Sequence, residues 1–199
     1  MRLGIFGGTF DPPHVGHLLG AVEAVEALGL DRLVFVPAGQ QPLKADRPGS
    51  APASRLEMVQ LLVGDDSRFA IDPIEIDREG LSYTVETLAA FAERYPDAER
   101  FFVTGADIVK TFDKWREPDR VAHLARLAVL QRRDGDAGDT PEGGAGGAAL
   151  ERAGALFLRT RRIDVSSTEV RARVRAGKSV RGFVPDAIAA YIDRAGLYR

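Results

Sequence analysis

Two of the chain's three histidines, His14 and His17, stand three residues apart behind a glycine-rich turn, in the string Gly7-Gly8-Thr9-Phe10-Asp11-Pro12-Pro13-His14-Val15-Gly16-His17. No Gly-Lys-Ser/Thr follows, so the string is not a Walker loop, and its glycine spacing is not that of G-x-G-x-x-G. A zincin helix requires H-E-x-x-H, and with no cysteine and no third histidine nearby a zinc shell cannot be completed. Anion binding fits better. Glycines at a strand end let backbone N–H groups approach a ligand closely. The two prolines hold the turn extended and delay helix initiation to about Val15. His14 then sits at the helix entrance and His17 in its first turn, with no side chain on Gly16 between them. The positive end of the helix adds its own attraction for negative charge. Together these parts describe a triphosphate cradle; the bland reading is a proline-rich turn with two incidental histidines.

A second anion site is predicted where Asp164-Val165-Ser166-Ser167-Thr168-Glu169-Val170-Arg171 opens a late helix. Ser166-x-x-Glu169 is a capping box in its own right. The same start presents hydroxyls and N–H groups at a positive helix end. Arg171 follows within about a turn, with a planar fork suited to phosphate oxygens.

The elements that must position these strings alternate strand and helix. Strands are expected at Arg2–Phe6, Arg32–Val36, Phe101–Thr104, Leu127–Gln131 and Ala155–Leu158, with an extended, proline-interrupted stretch at Phe69–Ile76. Helices are expected from Val15 to about Leu28, over Arg55–Val63, Ser82–Tyr95 and Pro118–Arg126, and twice more after Ser166-Ser167-Thr168 and after Pro185. A helix or turn runs through Trp115. Pro37–Pro52, with four prolines, is a long loop of the kind that is more often functional than accidental. Asp134–Ala149 holds six glycines and no large apolar residue, and is predicted to be a flexible surface loop. Alternation of this kind implies crossover units and a parallel sheet covered on both faces, which binds ligands beyond the carboxyl ends of its strands.

Composition sets the limits. At 199 residues, 45% hydrophobic and 28% charged, the chain suits a single domain over 1–199, with residues 164–199 as a small C-terminal helical segment. The absence of cysteine excludes disulfides and thiol nucleophiles. A formal net charge of −2 argues against nucleic-acid binding. From Arg159 to Arg181, however, eight basic residues face two acidic ones, which suits a small polyanion. No targeting segment and no run of 18 apolar residues is visible, so the chain reads as a cytoplasmic protein with no membrane partner. The sequence admits a homo-oligomer as well as a monomer.

The first string resembles the H-x-G-H signature of the nucleotidyltransferase superfamily, and Val165–Arg171 looks like its I-S-S-T-x-[IV]-R signature. Nearly the whole chain is similar to the bacterial nicotinate-nucleotide adenylyltransferases. The likeness includes Pro37–Lys44, Ser54–Met58, Ser82–Leu88, Gly105-Ala106-Asp107, Trp115, and, near the end, Val184-Pro185, Tyr191-Ile192 and Gly196-Leu197-Tyr198. It implies a Rossmann-like, doubly wound α/β fold. It also implies adenylyl transfer from ATP to nicotinate mononucleotide, giving nicotinate adenine dinucleotide and pyrophosphate in NAD biosynthesis, with Mg²⁺ carried on ATP and no metal held by the protein alone. By the same resemblance His14, His17 and Lys44 form the catalytic set. Gly7, Gly8, Thr9, Phe10, Gly16, Gly105, Asp107, Ser166, Ser167 and Arg171 are assigned to ATP. Thr84, Trp115 and Arg132 are assigned to the mononucleotide, Trp115 by stacking on the nicotinate ring. Local readings stand beside these: Trp115 as core, Thr84 as a helix start, Arg55 as a solvated charge or a loop anchor. His123 has no assigned role. Leu43 and Arg116 depart from the family pattern, as does Arg132-Arg133-Asp134-Gly135. The alternatives are another transferase of the superfamily, acting on pantetheine phosphate or making cytidylyl transfers, and a nucleotide-binding regulator without turnover.

Overall fold

The computed structural model describes residues 1–42, 49–78, 80–132, 144–161 and 163–199. Leu43, Lys44, Arg133 and the side chain of Arg132 lie outside the described part.

The strands are β1 (Arg2–Gly8), β2 (Arg32–Pro37), β3 (Phe69–Ile71), β4 (Glu99–Gly105), β5 (Arg126–Arg132) and β6 (Leu156–Thr160). Among the described residues they form one parallel sheet in the order β3-β2-β1-β4-β5-β6. The expected α/β, doubly wound fold is therefore present, with its switch point between β1 and β4. Side chains alternate across the sheet, as strand geometry requires. Phe6, Leu33, Phe35, Phe101 and Val103 enter one core layer; Leu3, Ile5, Val34, Val36 and Phe102 enter the other.

The first layer is covered by α1 (Val15–Leu28), α2 (Pro52–Val63), α7 (Ser167–Arg175) and α8 (Asp186–Arg194). The second is covered by α4 (Thr84–Arg94), two 3-10 turns (Ala106–Lys110 and Phe112–Lys114), α5 (Pro118–Leu124) and α6 (Gly144–Arg152). The C-terminal helices thus belong to the main core rather than to an appendage. No helix among the described residues is long and apolar enough to cross a membrane.

Two expectations need correction. Phe69–Ile76 is not extended throughout: the strand stops at Ile71 and a short helix, α3 (Ile74–Asp77), begins behind Pro73. Asp72 Oδ1 accepts the Ile74 N–H at 3.0 Å, satisfying a donor that the helix start would otherwise orphan. The stretch 134–149 is not one loop either, because residues 144–149 open α6. Tertiary packing overrides composition there. A Cβ on Gly146 would collide with the Val109 carbonyl oxygen, so glycine lets α6 lie directly on the turn after β4.

Candidate active site

The loop from Gly8 to His14 leaves β1 at the switch point, and the fold holds it from beneath. Phe10, with φ of 51° and 2% exposure, turns its ring into the core. Its centroid lies 5.6 Å from Phe6 and 5.1 Å from His17, edge-on in both cases. Phe10 is therefore a floor for His17 rather than a side chain open to a ligand. The Thr9 hydroxyl is buried with no hydrogen-bond partner among the described residues.

His14 caps α1 in an extended conformation and is buried, with 8% exposure. Its backbone N–H donates to His17 Nδ1 at 3.1 Å. A main-chain N–H can only donate, so Nδ1 carries the lone pair and the proton of neutral His17 sits on Nε2. The two rings lie 3.8 Å apart at 33°. Burial, and then the adjacent His14, hold His17 well below the ordinary histidine pKa. His17 therefore presents a fixed, neutral Nε2–H donor, which suits an oxygen of a phosphate and not a metal ion. Gly16 permits the pairing, because a Cβ there would lie 3.0 Å from His14 Nδ1.

The start of α7 is brought onto the same loop. Ser167 Oγ donates to the Pro12 carbonyl at 2.8 Å, and Arg171 Nη1 donates to the Asp11 carbonyl at 2.6 Å. Ser166 caps α7 by accepting the Glu169 N–H at 3.1 Å, one of the two bonds of the expected capping box. The two predicted anion strings, more than 140 positions apart in the sequence, form one surface with two helix N-termini. Gly105 ends β4, the other strand of the switch point, and Asp107 stands exposed at the head of the following turn.

A second group gathers around Trp115. This residue is half-buried, 5.9 Å from the Phe102 ring and 5.7 Å from Phe112. Thr84 is the first residue of α4. Arg116 links the two regions: it bonds Glu86 at 2.9 Å and lies 4.7 Å over the Tyr83 ring. The loop after β2 is fastened here as well, with the Ser82 N–H donating to the Gln40 carbonyl and the Gly39 N–H donating to Ser82 Oγ.

The model of the cytidylyltransferase-like family matches residues 5–173. A Gemmatimonas aurantiaca relative named as a probable nicotinate-nucleotide adenylyltransferase is 48% identical over all of this chain and 93% of its own length. A relative of the same name from Thermus thermophilus is 41% identical over the full length of both. The chain belongs to the nicotinate-nucleotide adenylyltransferase family.

Solved structures agree on the fold. The Plasmodium falciparum nicotinic acid mononucleotide adenylyltransferase complexed with NaAD superposes with a TM-score of 0.77, at 16% identity over 99% of this chain and 97% of its own. Its complex with APC gives a TM-score of 0.75, at 15% identity over 99% of this chain and 96% of its own.

Within this adenylyltransferase framework the structure gathers Gly7, Gly8, Thr9, His14, Gly16, His17, Ser166, Ser167 and Arg171 around one loop, and joins the residue after Trp115, Arg116, to Tyr83 and Glu86 on either side of Thr84. Lys44 and the Arg132 side chain lie outside the described residues. The group that sequence reasoning left undecided is Arg55, and it is neither solvated nor peripheral. It is 3% exposed and donates to the carbonyls of Thr9, Ala38, Gly39 and Ser50. Its guanidinium thereby ties the histidine loop to both ends of the loop after β2. Burial lowers its pKa, while Asp11, Tyr198 and Glu75 oppose the shift. The available signal was an arginine at the start of an amphipathic helix just after a long loop, which looks the same as a solvated one.

Proposed function

We propose that this chain transfers the adenylyl group of ATP to nicotinate mononucleotide, forming nicotinate adenine dinucleotide and pyrophosphate in NAD biosynthesis. The observation that carries the reading is the meeting of the His14–His17 pair with the Ser167–Arg171 helix start on one loop, in a chain of this family. ATP as donor also fits a cytoplasmic site of action.

The attacking atom is an oxygen of the mononucleotide's 5′-phosphate. Such a monoester has a second pKa of about 6 and is already anionic at neutral pH, so no general base is required. The oxygen forms a bond to the α-phosphorus as the α–β bridge breaks, and the electron pair leaves with pyrophosphate. The barrier is electrostatic: two anions must meet in line. His17 Nε2–H, His14, the glycine N–H groups of the loop and the starts of α1 and α7 supply donors directed at phosphate oxygens. Lys44 is assigned to the same phosphates from the second loop. Mg²⁺ carried on ATP would supply charge neutralisation; His17, with its Nδ1 lone pair engaged, fits the phosphates of that complex and not the ion. On the acceptor side, Trp115 stacks on the nicotinate ring while Thr84 contacts it from the start of α4.

A donor and acceptor panel tests the assignment. ATP or CTP is offered with nicotinate mononucleotide, its amide or pantetheine phosphate, and pyrophosphate release is followed. Turnover with ATP and nicotinate mononucleotide is expected to dominate. Preferential turnover with CTP or pantetheine phosphate would assign a different reaction.

A further inference from the structure

Three separate segments converge on Asp11, a residue three positions before His14 that carries no assigned role in the reaction. Its carboxylate is buried, with 7% exposure. Oδ1 accepts the hydroxyl of Tyr198, from the segment after α8, at 2.7 Å. Oδ2 accepts the N–H of Ser50, which closes the loop after β2, at 3.2 Å. The Asp11 carbonyl accepts Arg171 Nη1 from α7 at 2.6 Å. Ser50 is held from its other side too, since its carbonyl accepts Arg55 Nε at 3.1 Å. Asp11 and Arg55 thus grip one residue of the second loop, Ser50, by its N–H and its carbonyl, and each is anchored in the histidine loop, Asp11 by its own backbone and Arg55 through the Thr9 carbonyl.

We infer that Tyr198 is a positioning residue for the transfer reaction, acting through Asp11 to fix the second loop relative to the histidine loop. This rests on the adenylyl-transfer reading, in which the transfer takes place between phosphates held at the histidine loop. The Tyr198 hydroxyl has one proton, and its bond to Oδ1 holds the carboxylate plane so that Oδ2 faces the Ser50 N–H. Burial, with the neighbouring Asp11, pushes the phenol's pKa upward, which keeps it a donor throughout the working pH range. Without that hydroxyl the carboxylate is free to rotate, the Ser50 N–H loses its fixed acceptor, and the Ser50 side chain loses its own bond to the phenol. Both substrates still bind, but the register between the histidine loop and the chain at Ser50 slackens. In-line transfer between two bound anions depends on that register, so the loss falls on kcat and not on either KM.

The test is Tyr198→Phe in the full chain, assayed with Mg·ATP and nicotinate mononucleotide well below the variant's melting temperature. The expected result is a kcat lowered about tenfold, with both KM values within about twofold of the parent. The second readout is a cycle with Asp11→Asn: in that background, adding Tyr198→Phe is expected to have little further effect on kcat. The third is the pair of His14 and His17 imidazole ¹⁵N resonances in the ligand-free protein, which are expected to shift in Tyr198→Phe. A lowered melting temperature with an unchanged kcat would overturn the proposal by making the contact structural alone. Additive effects in the cycle would also overturn it. If the parent forms no dinucleotide, the reaction assignment fails instead, and the histidine resonances still report whether Tyr198 governs the loop.

Discussion

The backbone N–H of His14 donates to His17 Nδ1 at 3.1 Å, and this single bond decides what the His17 ring can do. It fixes the neutral tautomer with the proton on Nε2 and leaves the ring no lone pair for a cation. A His17→Ala variant is therefore expected to lose more than about 100-fold in kcat, on the order of 3 kcal/mol of transition-state stabilisation. Steady-state kinetics checks this; a near-parental kcat would remove His17 from the machinery.

The same residue sets a pH signature. His17 is held below its ordinary value of 6.5, so as pH falls through about 6.5 the unfolded chain takes up a proton that the folded chain refuses. The stability this neutral group contributes is fully present above that pH and is lost as pH falls toward the folded-state pKa. Thermal melts of the parent between pH 8 and pH 5 are thus expected to fall more steeply below about pH 6.5 than those of His17→Gln. Parallel curves would show that the ring titrates normally.

Gly16→Ala separates activity from stability. Alanine in the first turn of a helix is favoured over glycine by up to about 1 kcal/mol. The added Cβ, however, would stand 3.0 Å from His14 Nδ1 and displace that ring. The variant is expected to melt at or above the parent temperature while losing about tenfold in kcat. Unchanged activity would show that the ring pairing is dispensable.

Trp115 packs on Phe102 and Phe112 yet is only half-buried, so its removal should be felt twice. Trp115→Ala is expected to cost about 2 kcal/mol of stability. It should also raise the KM for the mononucleotide about tenfold, with the KM for ATP changed about twofold at most. Chemical denaturation and kinetics on both substrates check the two parts. Equal effects on the two KM values would favour a core role alone.

Arg55 is a stability prediction of another kind. Its guanidinium satisfies four main-chain carbonyls from three segments. Arg55→Ala leaves those acceptors buried and is expected to cost about 3–5 kcal/mol. Arg55→Lys keeps the charge but not the fork, and should recover only part of the loss in denaturant unfolding.

The strand–loop–helix unit at the start of the chain was legible because local chemistry dictates it: buried residues, then glycines, then prolines, then a capped helix. The N-cap at Ser166 was legible for the same reason, and its meeting with the first loop follows from strand order once a doubly wound sheet is granted. What stayed hidden is long-range. Nothing local distinguishes Arg55 from a surface arginine, or Tyr198 from any late aromatic residue; both acquire meaning only when the loops after β1 and β2 close around them. The helix at Gly144–Arg152 was hidden for the opposite reason. Its glycines argue locally for a loop, but they are what the contact with Val109 demands. Arg116, a departure from the family pattern, finds its explanation in the link it makes to Glu86 and Tyr83.

The most direct test follows the oxygen that is proposed to attack. The protein is incubated with Mg·ATP and nicotinate mononucleotide carrying ¹⁸O in its 5′-phosphate, and the products are weighed by mass spectrometry. All of the label is expected in nicotinate adenine dinucleotide and none in pyrophosphate. Label in pyrophosphate, or no dinucleotide at all, would contradict the account.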